Sequence, residues 1–435
     1  ETTVTYPLNG TYDADFNKIE GSGIYYTDVT DTYTDANGVK QNKVVSKFTG
    51  FETDFILHAS GKGSASDPYI IETANQFAAG VTGNLKDAGG NYINTEYVCF
   101  KVADSVKAFD LSNTDSSVDF SRNMTAAEVE AALKNAVVDS ALKWKYPNNT
   151  VAFRGRFDGN GVVVYGLKAD SDCSGIFPYV CGNISVRNLT VKNCYFRGDN
   201  ASVFMAYNKK LADYAYSSAD MQLRNCAAYG NVVVSTSNDN NGEAVQHAGI
   251  LCGYTNLDVS MGITDCLVYD NIAKHETRQI TYGLVGRLHR STSATINSTI
   301  SMDAVPHTLY YGSNAFHTST FTNVYTNTMD GNEWANIDSV LDTNGNMTGN
   351  GKRYVYKYSV NEAGQIIAAF NHYDKNGNNL TYGGVGYSKT LDGPVYRVEK
   401  SEIIGAESLK GIDPEKWTYN TGSYPTPKVY HIREY

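Results

Sequence analysis

Two short signatures alternate along the chain between Ala152 and Met329, and no other feature narrows the possible folds so far. The first is an apolar residue, a variable one, Asn or Asp, and then a small or apolar residue. It recurs as Val186-Arg187-Asn188-Leu189, Leu223-Arg224-Asn225-Cys226, Ile263-Thr264-Asp265-Cys266, Ile296-Asn297-Ser298 and Phe321-Thr322-Asn323-Val324, the fourth reading as one residue short. The second is a small residue followed by two apolar ones: Gly175-Ile176-Phe177, Ser202-Val203-Phe204, Gly249-Ile250-Leu251, Gly283-Leu284-Val285 and, more weakly, Gly312. Strands separated by tight corners, at intervals from 26 residues (Asn297 to Asn323) to 47 (Ser202 to Gly249), can lie one above another in parallel sheets. Corner Asn and Asp side chains bond neighbouring backbone and tolerate left-handed conformations. The expectation is an all-β chain: a right-handed parallel β-helix, or solenoid, preceded by β-hairpins and closed by a capping α-helix.

The flanking regions fit that plan. Residues 1–59 alternate apolar and polar positions around turn pairs such as Asn37-Gly38 and are expected to be N-terminal β-strands packed on the solenoid. Residues 60–151 read as a capping region. They contain a helical turn from Ala74 to Ala79 and a helix near 125–145, whose Thr125-Ala126-Ala127-Glu128 start is a capping box. That helix is expected to plug the first coil, because a solenoid end leaves strand edges and apolar side chains unpaired. Residues 152–329 are the repeats, opening at Phe157-Asp158-Gly159-Asn160-Gly161, where two tight turns are expected between strand runs. Residues 330–435 read as a β-rich C-terminal region and cap. Trp144 and Trp417 flank the repeats as cap anchors.

The chain carries a net charge of −10 and no concentrated basic run, which excludes a nucleic-acid footprint and disfavours an anionic membrane. Its apolar runs are strand-sized, well short of the roughly 20 residues that span a bilayer. The start lacks a basic, apolar, small-residue leader, so a signal peptide is expected to have been cleaved from a secreted or cell-surface protein. Seven cysteines lack the paired spacing of a zinc site. They read as buried structural thiols, with one or two disulfides as the alternative. No cofactor is implied.

The phrases Asp67-Pro68-Tyr69-Ile70-Ile71, Phe157-Asp158-Gly159-Asn160-Gly161, Ile184 to Val191, Gly283-Leu284-Val285-Gly286 and Trp417 to Pro425 resemble the GLUG-motif family of bacterial cell-surface proteins. The resemblance spans most of 60–430. Pro178 and Tyr179 stand where that family has glycine, and the Ser202 copy lacks its first glycine. The tyrosine- and asparagine-rich style is similar to surface and cellulosomal proteins of gut or rumen Firmicutes. The resemblance implies adhesion or polysaccharide binding more than catalysis.

Candidate ligand contacts follow from register. Counting four residues on from the corner places Lys192, Tyr229, Tyr269 and Ser301 at one outward position, so Tyr229 and Tyr269 would adjoin at about 4.8 Å. Such a strip suits the apolar faces of sugars. Tyr207 and Tyr254 form a second column five residues past the small residue, with Tyr179 one residue earlier. Tyr311, Tyr325 and Trp334 make the far end aromatic. The resulting expectation is a non-catalytic module binding plant cell-wall polysaccharide of the β-glucan or xyloglucan type, with other modules of the same secreted protein as further partners. A β-helix polysaccharide lyase or hydrolase is the first alternative, drawing on Asp239 and Glu243 with Arg278 or Arg287, or on Glu243 with Glu276. The second is an adhesin or spacer with a protein partner.

Overall fold

The computed structural model describes residues 24–327, apart from 29, 215–217, 239–246, 257, 277–282, 288–292, 303–304 and 309–317, and residues 395–432 apart from 399. Beyond these it places only the strands Val4–Tyr6, Gly10–Tyr12, Arg353–Val360, Ile366–Tyr373 and Ser388–Thr390. The class is all-β, with parallel sheets and few helices.

The longest sheet is folded along a corner. Arg156–Tyr165 lies beside Ile184–Lys192. On the first half of Ile184–Lys192 stack Ser218–Arg224, Asp258–Thr264, Ser293–Asn297 and Thr318–Thr322; on its second half stack Ala227–Tyr229, Leu267–Tyr269, Ile300–Ser301 and Val324–Thr326. A second ladder holds Lys168–Asp170, Tyr195–Gly198, Val232–Ser235 and Ile272–His275. A short third pairs Cys173–Ser174 with Asn200–Ala201. The fourth holds Phe177–Val180, Met205–Asn208, Cys252–Thr255, Gly283–Arg287 and Val305–Thr308.

Asn188, Asn225, Asp265, Ser298 and Asn323 turn the corner with φ of 55, 53, 53, 48 and 52°. Thr264 pairs with Asn297 and Leu267 with Ile300, so Ser298 is the corner of the fourth copy. That copy is therefore full length, and the tyrosine column continues from Tyr269 to Met302; Ser301 is buried in the adjoining row. Asn193, Gly230 and Asp270 make a second left-handed corner, which neither signature marks. After four of these corners the next residue is small and donates back two residues: Cys194 Sγ to Lys192 O (3.2 Å), Cys226 Sγ to Arg224 O (3.2 Å), Cys266 Sγ to Thr264 O (3.3 Å) and Thr299 Oγ1 to Asn297 O (2.9 Å). Inside the first corner Val186, Leu223, Ile263 and Ile296 form one register column of fully buried side chains. Each burial contributes about 1.5–3 kcal/mol.

Parallel pairing begins before residue 152, since Val44–Lys47, Tyr69–Ile71, Cys99–Val102 and Val106–Asp110 all join the long sheet. Asp158 to Gly161, expected as turns between two runs, does turn left-handed at Asn160 (φ 50°) and Gly161 (φ 82°), but as a register irregularity within one ten-residue strand. Thr73 caps the helix Ala74–Val81, which is buried nearly all round and packs its Phe77 against Phe109, Trp144 and Phe157. Trp144 is 1% exposed and donates its indole N–H to Gly175 O at 3.0 Å.

The capping box at Thr125 and Glu128 forms with both hydrogen bonds, yet the helix it opens spans only Ala126–Leu133. Lys168 Nζ closes its far end, donating to Lys134 O (2.9 Å) and Ala136 O (2.8 Å). Val129 and Leu133 cluster with Tyr195, Val232 and Val234 of the second ladder. The helix thus covers the outer side of that ladder and does not plug the end of the stack. Lys192, expected outward in the tyrosine column, is likewise covered and donates from Nζ to Ser121 O at 2.6 Å.

All seven cysteines are free and buried. Burial pushes the Cys173, Cys194, Cys252 and Cys266 thiols up to about 12 and raises those of Cys181 and Cys226 as well. Alkylation needs the thiolate. Iodoacetamide at pH 8 is therefore expected to leave these six unmodified in the native protein and to label all six in denaturant, as peptide mass spectrometry would show. Among the described residues no helix is long and apolar enough to cross a membrane.

Candidate functional site

The fourth ladder carries a column in which Tyr179, Tyr207, Tyr254 and Arg287 are direct register partners. Tyr179, set one residue out of step by counting, joins the column because pairing follows the backbone ladder and not the distance from the nearest glycine. Tyr146 stacks on Tyr179 (centroids 4.7 Å apart, 18° between planes), Tyr179 meets Tyr207 edge-on at 5.7 Å, and Tyr207 stacks on Tyr254 (5.3 Å, 13°). The upper face of the series is closed by His247, parallel to Tyr254 at 4.3 Å, and by the Arg287 guanidinium 5.0 Å from the same ring. Tyr207, Tyr254, His247 and Arg287 are all half-buried. Asn256 Nδ2 reaches the Tyr207 hydroxyl at 3.4 Å.

Two glycines let this column form. Ala206-Tyr207, Gly253-Tyr254 and Gly286-Arg287 are successive steps, and a Cβ at Gly286 would collide with the carbonyl oxygens of Ala248 and Gly253. A Cβ at Gly253 would collide with Ala206 O. The pattern Leu-x-Gly-Tyr (251–254) against Leu-x-Gly-Arg (284–287) was the sequence signal for Arg287 as the next rung.

Hydrogen bonding assigns the His247 tautomer. Arg287 Nη1 lies 2.9 Å from Nε2 and can only donate, so Nε2 accepts and the proton sits on Nδ1, 3.1 Å from Ser237 Oγ. Burial, reinforced by the Arg287 charge, pulls the His247 imidazole from 6.5 down to about 3. The unfolded chain therefore takes up a proton near 6.5 that the folded chain refuses until about 3. This group's contribution to stability is complete above 6.5 and is lost as pH falls from 6.5 towards 3. The melting temperature of wild type is expected to fall more steeply between pH 6.5 and 4 than that of His247→Gln; parallel curves would contradict the assignment.

The Tyr229–Tyr269 pair forms as register requires, at 4.7 Å and 10°. It is not an open strip. Tyr424 stacks on Tyr269 at 4.3 Å, and both column residues pack beside a buried cluster of Leu267, Ile300, Met302, Tyr325, Ile412 and Trp417. The cover is the chain's own 406–432 segment, held by the corner side chains. Asn188 donates to Tyr430 O (2.8 Å) and accepts from Tyr430 N (3.2 Å), Asn225 donates to Lys428 O, and Lys416 Nζ sits 3.6 Å from Asp265. Tyr325 is 4% exposed and donates its hydroxyl to Lys410 O, so it is a packing residue and not a ligand contact. Tyr311 and Trp334 lie outside the described residues.

Stacking also changes what a column can offer. Rings spaced along the ladder with nearly parallel planes spend their faces on one another, leaving edges and hydroxyls for a ligand. The flat platform of ring faces expected for Tyr229 and Tyr269 therefore does not arise there. Of the acids considered for catalysis, Glu276 is bound by Arg197 at 2.7 and 3.0 Å, with Asp170 on the same guanidinium. Asp239, Glu243 and Arg278 lie outside the described residues, and Arg287 is engaged with Tyr254 and His247. Among the described residues no three His, Cys, Asp or Glu side chains are grouped to hold a metal ion. No family model, no curated protein and no solved structure matches the chain.

Proposed function

We propose that the parallel ladders are the faces of a right-handed β-helix of the GLUG-motif type, and that the protein is a secreted or cell-surface, non-catalytic module binding plant cell-wall polysaccharide of the β-glucan or xyloglucan kind. The observation that carries this reading is the half-buried Tyr207–Tyr254 column, with Asn256 at one hydroxyl and His247 and Arg287 closing its end. Phenol edges and amide groups fixed on a rigid sheet lose little ordering entropy when they bind. They present hydroxyl and amide hydrogen-bonding groups at about the interstrand spacing of 4.8 Å. A linear chain of hydroxylated rings is a matching partner. The ring faces consumed by stacking favour a second reading, a spacer or adhesin whose tyrosines serve rigidity.

Affinity electrophoresis over soluble glucans, xylans, mannans and pectins, paired with assay of reducing ends and unsaturated products, separates the readings. Retardation by a glucan or xyloglucan without product formation is expected, and Tyr254→Ala should weaken it at least tenfold. Product release would favour the enzyme alternative, and absence of retardation in every gel would favour the spacer.

A further inference from the structure

Tyr97 is anomalous among the residues with positive φ. The other non-glycine positions are Asn, Asp or Ser at corners, whereas Tyr97, at φ 66°, carries a large ring that is 67% exposed. A bulky side chain is held in the left-handed region only at a cost, and an exposed ring returns no burial energy for it. Tyr97 occupies the third position of the Thr95–Val98 turn, closed by Val98 N to Thr95 O at 2.9 Å. Glycine suits that position better.

The turn is pinned by Arg154, whose backbone N–H donates to Thr95 Oγ1 at 2.8 Å. The Arg154 side chain is only 5% exposed, and its guanidinium holds two carboxylates side by side: Glu96 at 2.6 Å from Nη2 and Asp213 at 2.8 Å from Nη1. Asp213 faces solvent, with 63% of its side chain exposed, and Glu96 is partly open. Arg154 Nε is buried without a partner among the described residues. A buried charge of this kind adds little net stability, because desolvation offsets the attraction. Its effect is to fix two carboxylates against the turn that carries the exposed Tyr97 ring. Tyr214 lies beneath the guanidinium, 5.5 Å from its centre.

We infer that Tyr97, Glu96 and Asp213, set by Arg154, form a second glycan-binding subsite that takes a neutral pyranose, with the ring on the Tyr97 face and hydroxyls donating to the two carboxylates. It rests on the reading that the chain binds polysaccharide, and it adds a specificity that the tyrosine column does not supply. One exposed and one partly open carboxylate sharing a single guanidinium leave net negative charge, which disfavours an acidic sugar while their oxygens accept from a neutral one.

The test is affinity electrophoresis of the full chain in xyloglucan, mixed-linkage β-glucan and polygalacturonate, with Tyr97→Gly, Asp213→Asn and Tyr254→Ala compared with wild type. Tyr97→Gly relieves the backbone strain, so its melting temperature should equal or exceed that of wild type while affinity for the neutral glycans falls at least tenfold. Asp213→Asn should narrow the preference for neutral over acidic glycan. Affinity of Tyr97→Gly within twofold of wild type overturns the subsite; if Tyr254→Ala alone then abolishes binding, the column reading survives without it. Equal or tighter binding of polygalacturonate by wild type overturns the charge argument. Loss in both Tyr97→Gly and Tyr254→Ala supports two subsites on one ligand, and no binding of any neutral glycan by wild type ends both readings.

Discussion

Trp417→Ala is expected to lower the stability of the protein by about 3–5 kcal/mol. Trp417 is 1% exposed and fills the cluster formed with Leu267, Ile300, Met302, Tyr325, Ile403 and Ile412, where the C-terminal segment meets the long sheet. Truncation removes the largest side chain in that contact and leaves a cavity its neighbours cannot fill. The corner hydrogen bonds that also hold the segment are each worth only about 1 kcal/mol net and do not replace the lost packing. Urea unfolding measures the first effect and limited proteolysis between residues 399 and 432 the second. Cleavage there should accelerate well before the rest of the chain is attacked, because local opening draws on local contacts. Trp417→Phe should recover much of the loss. A change below about 1 kcal/mol in the alanine variant would mean that the segment is not packed as described.

Gly286→Val is expected to cost about 3 kcal/mol or more, by overpacking and not by loss of contacts. The added Cβ meets two carbonyl oxygens, Ala248 O and Gly253 O, which belong to backbone and cannot move aside as a flexible side chain would. Gly253→Val, against Ala206 O, should act in the same way. Gly422→Ala is the contrasting case. That glycine has φ +75°, but a Cβ added there would meet nothing within 4 Å, so only conformational strain of about 1 kcal/mol applies. Thermal unfolding of the three variants should rank them in that order, and the Gly286 and Gly253 variants should also lose whatever ligand binding the Tyr254 column provides. Equal melting temperatures for Gly286→Val and Gly422→Ala would refute the close approach of the strands.

Much of the ladder was legible from particular residues. Asn188, Asn225 and Asp265 marked the corner because Asn and Asp are the residues that take positive φ at low cost. The stacking of Tyr229 on Tyr269 and of Tyr207 on Tyr254 followed from equal offsets, since strands in register carry equal positions into contact. The Thr125–Glu128 capping box also announced its helix, being a purely local bond pattern. Counting failed where the local chemistry was degenerate. Ser298 can turn the corner in place of Asn297, and a shift of one residue moved Ser301 out of the tyrosine column and brought Met302 in.

By itself the sequence determined the periodic part: a corner every few tens of residues and apolar residues beside it facing inward, all properties of a repeat that each strand satisfies with its immediate neighbours in the ladder. Only the tertiary structure decided which faces stay open. Segments remote in sequence, Ser121 to Leu133 and 406–432, lie over the second ladder and the Tyr229–Tyr269 column, whereas Tyr207 and Tyr254 are half-buried without that cover and Tyr97 stands exposed. Such cover depends on contacts between residues far apart in sequence, 71 positions between Ser121 and Lys192 and 242 between Asn188 and Tyr430, and no local periodicity encodes them.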